Sequence, residues 1–306
     1  MLRLVKKLIK ASLPGPWRLA IDRIRDTPGR VDDIERHFQR LSALLLMEKH
    51  ESLRGDRAFR NPINRYDQTV YSQHGQDGIL LYIFSRVGVT NCRFVEFGIW
   101  DGRECNTANL SLNFGWSGLL MDSTEELVSA ARRYYAQRLG TRSANVTIVQ
   151  CKATRENINE VLERNGYKGE IDLLSLDIDG NDYWVWQAIK VIDPRVAVVE
   201  YNAILGYERS ITIPYDPDFV VGKRRSQFYH GASLPALTKQ ANSKGYVLVG
   251  CDLEGTDAFF VRKDVAAGVL SEVAVEAAYF PQLLRSRTLT PEELFESIKH
   301  LDFVTV

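Results

Sequence analysis

The chain has 306 residues, 45% of them hydrophobic and 25% charged, with a formal net charge of zero. That is enough for one large domain with extensions, of ordinary soluble composition. It excludes a uniformly basic nucleic-acid binder, and no apolar run approaches the ~18 residues that span a bilayer.

The charge is unevenly placed. Residues 1–65 hold 15 Lys/Arg against 8 Asp/Glu, so this arm is +7 and the remainder −7. A basic arm suits peripheral contact with an anionic surface such as a membrane, or it is a solvated helix. Leu2, Val5, Leu8 and Ile9 share one helical face over residues 1–12, which predicts a small basic amphipathic helix. There is no secretory h-region or cleavage site. Cys92, Cys105, Cys151 and Cys251 show no C-x-x-C spacing, as expected of reduced thiols in a cytoplasmic protein. Ile34, Phe38, Leu41 and Leu45 predict an amphipathic helix over 32–50. Its stripe packs on the main domain or on a second copy, making a homo-oligomer. Residues 52–70 read as a linker.

The main domain starts near Tyr71. A helix is predicted over 76–87 and a strand over 93–97. A helix over 104–114 then leads to a strand at 118–121. Thr124 to Gln137 reads as a helix with Glu125 and Glu126 in its first turn. A strand at 145–150 and a helix at 155–165 follow. Residues 171–177 are a buried strand, 182–190 a helix and 196–200 another strand. Ser233 caps a helix with Pro235 in its first turn, which ends at Lys244-Gly245. Strands at 246–251 and 258–261 are separated by only six residues, which suits an antiparallel hairpin. Residues 264–306 read as helical, with a capping box at Thr290-Pro-Glu-Glu293. The domains are therefore an N-terminal helical extension (1–65), an α/β domain (66–263) and a C-terminal helical extension (264–306). The α/β domain is a doubly wound, mostly parallel, seven-stranded sheet with a C-terminal antiparallel hairpin.

The segment Phe94-Val-Glu96-Phe-Gly98-Ile-Trp100-Asp101-Gly102 carries the chemistry. It is a buried strand entering a glycine turn. Twenty-six residues after Glu96, a second apolar run ends in Asp122. A doubly wound sheet holds an adenosine-type cofactor this way, the second-strand acid accepting both hydroxyls of a ribose. Dinucleotide turns read G-x-G-x-x-G and cradle a pyrophosphate. Here Glu96 and Asp101 flank the turn, and carboxylates repel phosphate. They favour S-adenosylmethionine, which has no phosphate and carries a sulfonium and an ammonium. An NAD-dependent oxidoreductase is the less favoured alternative.

Five segments in order sharpen this reading. Tyr71-Ser-Gln-His-Gly-Gln-Asp77, Phe94-Val-Glu-Phe-Gly98 with Asp101-Gly102, Asn106-Thr107, Gly115-Trp-Ser-Gly118 and Leu176-Asp-Ile-Asp-Gly180 resemble the FkbM-like methyltransferases. The resemblance covers about residues 70–262. It implies a class I, S-adenosylmethionine-dependent O-methyltransferase fold and activity. It also implies a small-molecule or glycan acceptor whose sugar belongs to polysaccharide or natural-product biosynthesis. The cofactor set is then Gln76, Asp77, Glu96, Gly98, Asp101, Gly102, Thr107, Asp122, Ser123 and Asp177. The family commonly has Glu where this chain has Asp179, and residues 201–230 match nothing in it.

Asp177 and Asp179 close the fourth strand, and Glu200-Tyr-Asn202 closes the fifth on the same edge. Gathered acids need cations or protons. Asp177 suits the donor's ammonium. Asp179, Glu200 and Asn202 form an all-oxygen set suited to Mg2+, or else an acid/base group. The Asp177–Asp182 hexapeptide lacks the downstream Glu of a calcium loop. His230, entering the helix capped by Ser233, is placed to take a hydroxyl proton, so Asp179 and His230 are the catalytic candidates. Residues 203–232 read as a long lid or binding loop. Its Lys223-Arg224-Arg225 could meet an acidic acceptor or stay solvated. Nucleic acid is not an expected partner, because the core is net negative. A non-catalytic assembly protein on the same fold stays open as the rival to an enzyme.

Overall fold

The computed structural model describes residues 62–223, 226–282 and 289–306. The helices expected at 1–12 and 32–50, most of the 52–70 linker, and Arg224 and Arg225 of the basic triplet lie outside the described residues.

In chain order the elements are α1 (Gln76–Val87), β1 (Arg93–Phe97), α2 (Ala108–Phe114), β2 (Ser117–Asp122), α3 (Glu125–Leu139), β3 (Val146–Gln150), α4 (Ile158–Arg164), β4 (Gly169–Leu176), α5 (Asp182–Ala188), β5 (Ile192–Glu200), β6 (Ile211–Thr212), α6 (Leu234–Ser243), β7 (Tyr246–Cys251), β8 (Asp257–Arg262), α7 (Lys263–Ala266), α8 (Val275–Ala278), α9 (Pro291–Ile298) and β9 (Val304–Thr305). Seven strands form one sheet in the order β3-β2-β1-β4-β5-β8-β7. β1 to β5 pair in parallel, and β8 runs antiparallel to both β5 and β7.

Local chemistry accounts for the boundaries. α6 begins where the Ser233 side chain accepts from the Ala236 N–H, with proline in the first turn. The Thr290–Glu293 capping box forms at the start of α9. β5 starts earlier than its apolar run, at Ile192, and includes Pro194. Its pairing with β8 begins only at Val196, so the proline lies where one side of the strand has no partner. The helix expected from 104 begins only at Ala108, because the loop before it is tied to Glu96.

β4 and β5 are the centre of the sheet. Ile171–Leu176 and Val196–Glu200 are buried throughout, as strands covered on both faces must be. The two ends of β4 differ. At the amino end Asp172 accepts the backbone N–H groups of Thr90, Asn91 and Cys92 and pairs with Arg195 at 2.9 Å. At the carboxyl end the strand runs into Asp177.

The C-terminal segment departs from the helical expectation. β9 is a strand paired antiparallel with β6 (Ile211↔Thr305, Thr212↔Val304). Ile204, Leu205, Ile213 and Tyr229 from the 201–233 insertion pack with Leu294 and Ile298 of α9 in a second small core. Two-residue strands have no sequence periodicity. This pairing is dictated by the insertion, and local propensity does not specify it.

Candidate functional site

Parallel strands carry their chemistry at the carboxyl edge. The register aligns Phe97 with Met121 and Leu176, Leu176 with Val199, and Glu200 with Asp257. A cavity of about 600 Å³ opens at that edge, lined by eight carboxylates, one ammonium (Lys152) and one imidazole (His74). Lys152 is itself bound to Asp218 at 2.7 Å.

The β1 turn forms the first wall. Gly98 has φ +74°, and a Cβ there would lie 1.5 Å from the Asp177 carbonyl oxygen. Only glycine lets the turn rest on the end of β4. Its neighbour Trp100 also has a left-handed φ, 53°. Asp122 at the end of β2 accepts the Trp100 N–H at 2.9 Å through Oδ2 and the Thr124 N–H at 2.9 Å through Oδ1. A carboxylate has about four acceptor positions, so two remain on the cavity side for a diol. Ser123 and Asp101 line the same cavity. Asp101 is paired with Arg103 at 3.0 Å.

The second wall is acidic. Oxygens of Asp177, Asp179 and Glu200 all lie within 4.8 Å of one another. Asp177 is accessible from the cavity, yet protein closes round it. Desolvation, followed by repulsion from Asp179, Asp257 and Asp182, holds its carboxyl well above the ordinary range. Asp179 sits at φ 56°. The loop keeps this shape because Asp182 accepts the Ile178 and Gly180 N–H groups at 2.8 and 2.9 Å. Burial pushes Asp182 up to about 7 despite those bonds.

Several expected site residues have other work. Asp77 is buried away from the cavity and accepts the N–H groups of Val70, Tyr71 and Ser72, which fixes the loop before α1. Gln76 lines the cavity, but its amide donates to Asp252 and Asp257 and its carbonyl accepts from His74 N–H. Glu96 accepts from Asn106 N–H at 2.8 Å, Thr107 N–H at 3.0 Å and Thr107 Oγ1 at 2.5 Å, so it ties the turn to α2. Thr107 thereby leaves the cavity lining. Burial raises the Glu96 carboxyl to about 7, against those hydrogen bonds. Gly102 does not line the cavity either; a Cβ there would meet Ala131 and Tyr135 of α3 at 3.0 Å.

The expected metal set changes by one residue. Asn202 donates from Nδ2 to the carbonyls of Phe228 and His230 and accepts Ile204 N–H on Oδ1. It is buried outside the cavity lining, and the acids that gather in that lining are Asp177, Asp179 and Glu200. His230 is 1% exposed and lies behind Glu200, Nδ1 to Oε2 at 3.9 Å, outside the cavity lining.

Two acids escaped the sequence reading. Asp257 lines the cavity, and Asp252 supports it by accepting its N–H at 2.9 Å. Burial and then repulsion from Asp257 raise Asp252 to about 8. Asp257 opens β8, and only a reversed strand brings its first residue to the carboxyl edge. The hairpin spacing held that signal.

The strand order, with its single reversed strand, is the class I methyltransferase arrangement. No protein-family model matches the sequence, and no curated protein matches it. The FkbM resemblance therefore rests on its short motifs. Among solved structures the chain is similar to the magnesium protoporphyrin IX methyltransferase of Synechocystis PCC 6803 with bound SAM (12% identity, 61% of this chain, 77% of that one, TM-score 0.40). It is similar to an O-methyltransferase from Bacillus cereus in complex with SAH (13%, 72% and 88%, TM-score 0.39). A third is the N-terminal domain of EvdMO1, solved with SAH and D-fucose (12%, 71% and 94%, TM-score 0.39). At these values the likeness reaches neither activity nor substrate.

No helix among the described residues is long and apolar enough to cross a membrane.

Proposed function

We propose that this chain transfers a methyl group from S-adenosylmethionine to a hydroxyl, most plainly one on a sugar-like acceptor. One observation carries this: eight carboxylates face a single, already paired ammonium at the ligand edge of the sheet. A pyrophosphate would be repelled there, whereas a donor with a sulfonium and an ammonium is attracted.

The residues present fit such a donor. Asp122 keeps acceptor positions for ribose hydroxyls, with Ser123 beside it. The Gly98 turn offers backbone without a side chain. Asp177 faces the cavity with a carboxyl that gains from a cationic neighbour. When bound, the donor supplies a methyl carbon on positively charged sulfur. This chain's own part is to orient the acceptor oxygen, exclude water and take one proton. Positioning is worth roughly 7–11 kcal/mol and a base about 10²–10⁴-fold. Glu200 and Asp179 are placed to accept the proton. His230 sits behind Glu200 and acts through it, a positioning residue that does not contact substrate.

Equilibrium dialysis with labelled S-adenosylmethionine and with NADH tests the reading. Retention of the methyl donor alone is expected; retention of NADH with free passage of the methyl donor overturns it. Donor binding without transfer to any of a panel of sugars would favour an assembly protein on this fold.

The Asp177–Asp179–Glu200 triad supports a second reading of the same edge. Three carboxylates within 4.8 Å form an all-oxygen set of the kind Mg2+ takes, and a metal there would lower the pKa of an acceptor hydroxyl. Calorimetric titration with Mg2+ should give heat that Asp179→Asn removes. No heat, with no effect of a chelator on transfer, removes the metal.

A further inference from the structure

Residues 214–222 form a strap along the cavity and supply Pro217, Phe219 and Val220 to its lining. The chain is fixed just before it. Ile213 is 1% exposed, its N–H donates to the Gly231 carbonyl at 3.1 Å, and its own carbonyl accepts the Trp184 indole N–H at 2.9 Å. From Pro214 to Lys223 the only backbone–backbone bonds among the described residues are two local turns, Phe219 N–H to the Asp216 carbonyl at 3.0 Å and Lys223 N–H to the Val220 carbonyl at 3.3 Å. Gly222, at φ 72°, has open space where a Cβ would lie, a small residue of the kind hinges often use.

Side-chain contacts hold the strap to the body, and the outer ones are solvated. Asp218 pairs with Lys152 at 2.7 Å, with 87% and 51% of those side chains exposed. The Tyr215 hydroxyl donates to Glu156, and the Arg155 guanidinium lies 4.0 Å from the Tyr215 ring centre. Further in, Asn181 Nδ2 donates to the Asp216 carbonyl at 2.8 Å. The Phe219 ring rests on Gly180, where a Cβ would come within 2.4 Å of it. An exposed ion pair shifts an equilibrium by only about 1.4- to 5-fold, so the outer contacts make a weak latch. Segments tied in this way open locally without global unfolding.

The latch stands beside the seat assigned to the donor. The Cys151 N–H donates to the Asp122 carbonyl at 2.7 Å, so Lys152 leaves β3 next to the acid that suits the donor's ribose. Gly180 and Asn181 follow the exit of β4. In the sheet order β2 and β1, which carry Asp122 and the Gly98 turn, lie between β3 and β4. The strap therefore bridges the exits of the two strands that flank the donor's own. Glu200 and Asp257, on β5 and β8, lie beyond that span.

We propose that residues 214–222 are a latched gate over the donor, and that donor and product exchange when the Asp218 and Tyr215 contacts open. This rests on the methyl-transfer reading.

The test measures association and release of S-adenosylhomocysteine by stopped flow on the full chain, comparing wild type with Asp218→Asn, Tyr215→Phe and the double variant. Neither side chain lines the cavity, so neither variant removes a donor contact. A gate must open for exchange in both directions. While the closed strap predominates, weakening its latch raises both rate constants by one factor and leaves Kd unchanged. Asp218→Asn should raise both about 1.4- to 5-fold, and the double variant should raise both further. Unchanged rates in the double variant, a fall in either rate, or a rise confined to one of them overturns the inference. Faster release alone would make the strap a donor contact and not a gate. Failure of the wild-type chain to bind S-adenosylhomocysteine at all would overturn the methyl-transfer reading, and the gate with it.

Discussion

Asp172 and Asp177 lie five positions apart along one strand and its exit, and the two carboxylates live opposite lives. Asp172 is fully buried, yet its carboxyl lies below the ordinary range. Burial alone would raise it; Arg195 and the N–H groups of Asn91, Thr90 and Cys92 outweigh that. Asp177 lines the cavity, and its carboxyl is held well above the range, first by desolvation and then by the acids beside it, with no cation among the described residues to offset either. The amino edge is a satisfied structural joint. Among the described residues the carboxyl edge has no free cation to offset its acids, so they tend to hold protons that a bound cation can replace.

The largest effect that separates the two edges is the pH dependence of stability. Glu96 and Asp182 at about 7 and Asp252 at about 8 have folded pKa values above their unfolded ones. The native state therefore binds more protons than the unfolded chain between their ordinary values and these. Stability falls as pH rises across that window, with a limiting slope of about 1.4 kcal/mol per unit for each proton. Urea midpoints should therefore increase from about pH 8.5 down to about pH 5.5. The Asp172 contribution has the opposite sign. It is present above the unfolded pKa and disappears only as pH drops through the lowered folded value. A midpoint that is flat or falls on acidification to about pH 5.5 would show that the carboxyl edge is neutralised in a way not described above.

Arg195→Met comes next. It leaves Asp172 buried with its ion pair gone, and a broken buried pair costs about 3–5 kcal/mol. Gly98→Ala follows at roughly 2–4 kcal/mol, since its Cβ cannot coexist with the Asp177 carbonyl and the φ is unfavourable. The methyl donor's affinity should fall with it; unchanged binding in the Ala variant would mean that the β1 turn is not the donor's seat. The finest comparison uses one substitution at both ends. Asp172→Asn should destabilise by about 2 kcal/mol, because charged hydrogen bonds become neutral ones. Asp177→Asn should stabilise the ligand-free chain slightly at alkaline pH and weaken donor binding, because it removes a carboxyl that desolvation and neighbouring acids penalise when charged. Thermal melts with and without S-adenosylhomocysteine read both signs.

The sheet was legible because buried strands, glycine turns and hairpin spacing are local signals. All seven of its strands fall where apolar runs and turn residues put them. Pro194 hid the start of β5, since whether a strand tolerates proline depends on its neighbours. β9 was invisible because two residues carry no period. The acids were legible as a group at one edge. Their individual duties were not, because Glu96 and Asp77 differ from Asp122 only in which backbone N–H groups reach them. Asn202 looked like a ligand by position and proved to be a brace for the 228–230 loop. Asp257 opens its strand, and it reaches an edge where the other strands end only because β8 is reversed.

The pairing of β6 with β9 has a consequence for assembly order. Ser210 Oγ donates to the carbonyl of Val306, 96 residues later, and the insertion's core is completed by Leu294 and Ile298. Phe219, which lines the cavity, packs on that same cluster. During synthesis the acidic floor can form once β8 has emerged, while the insertion must wait for α9 and β9. A nascent chain would thus pass through a stage with a finished floor and an unfinished side wall. Stalled ribosome complexes halted before and after β9 should differ in proteolysis within 213–220.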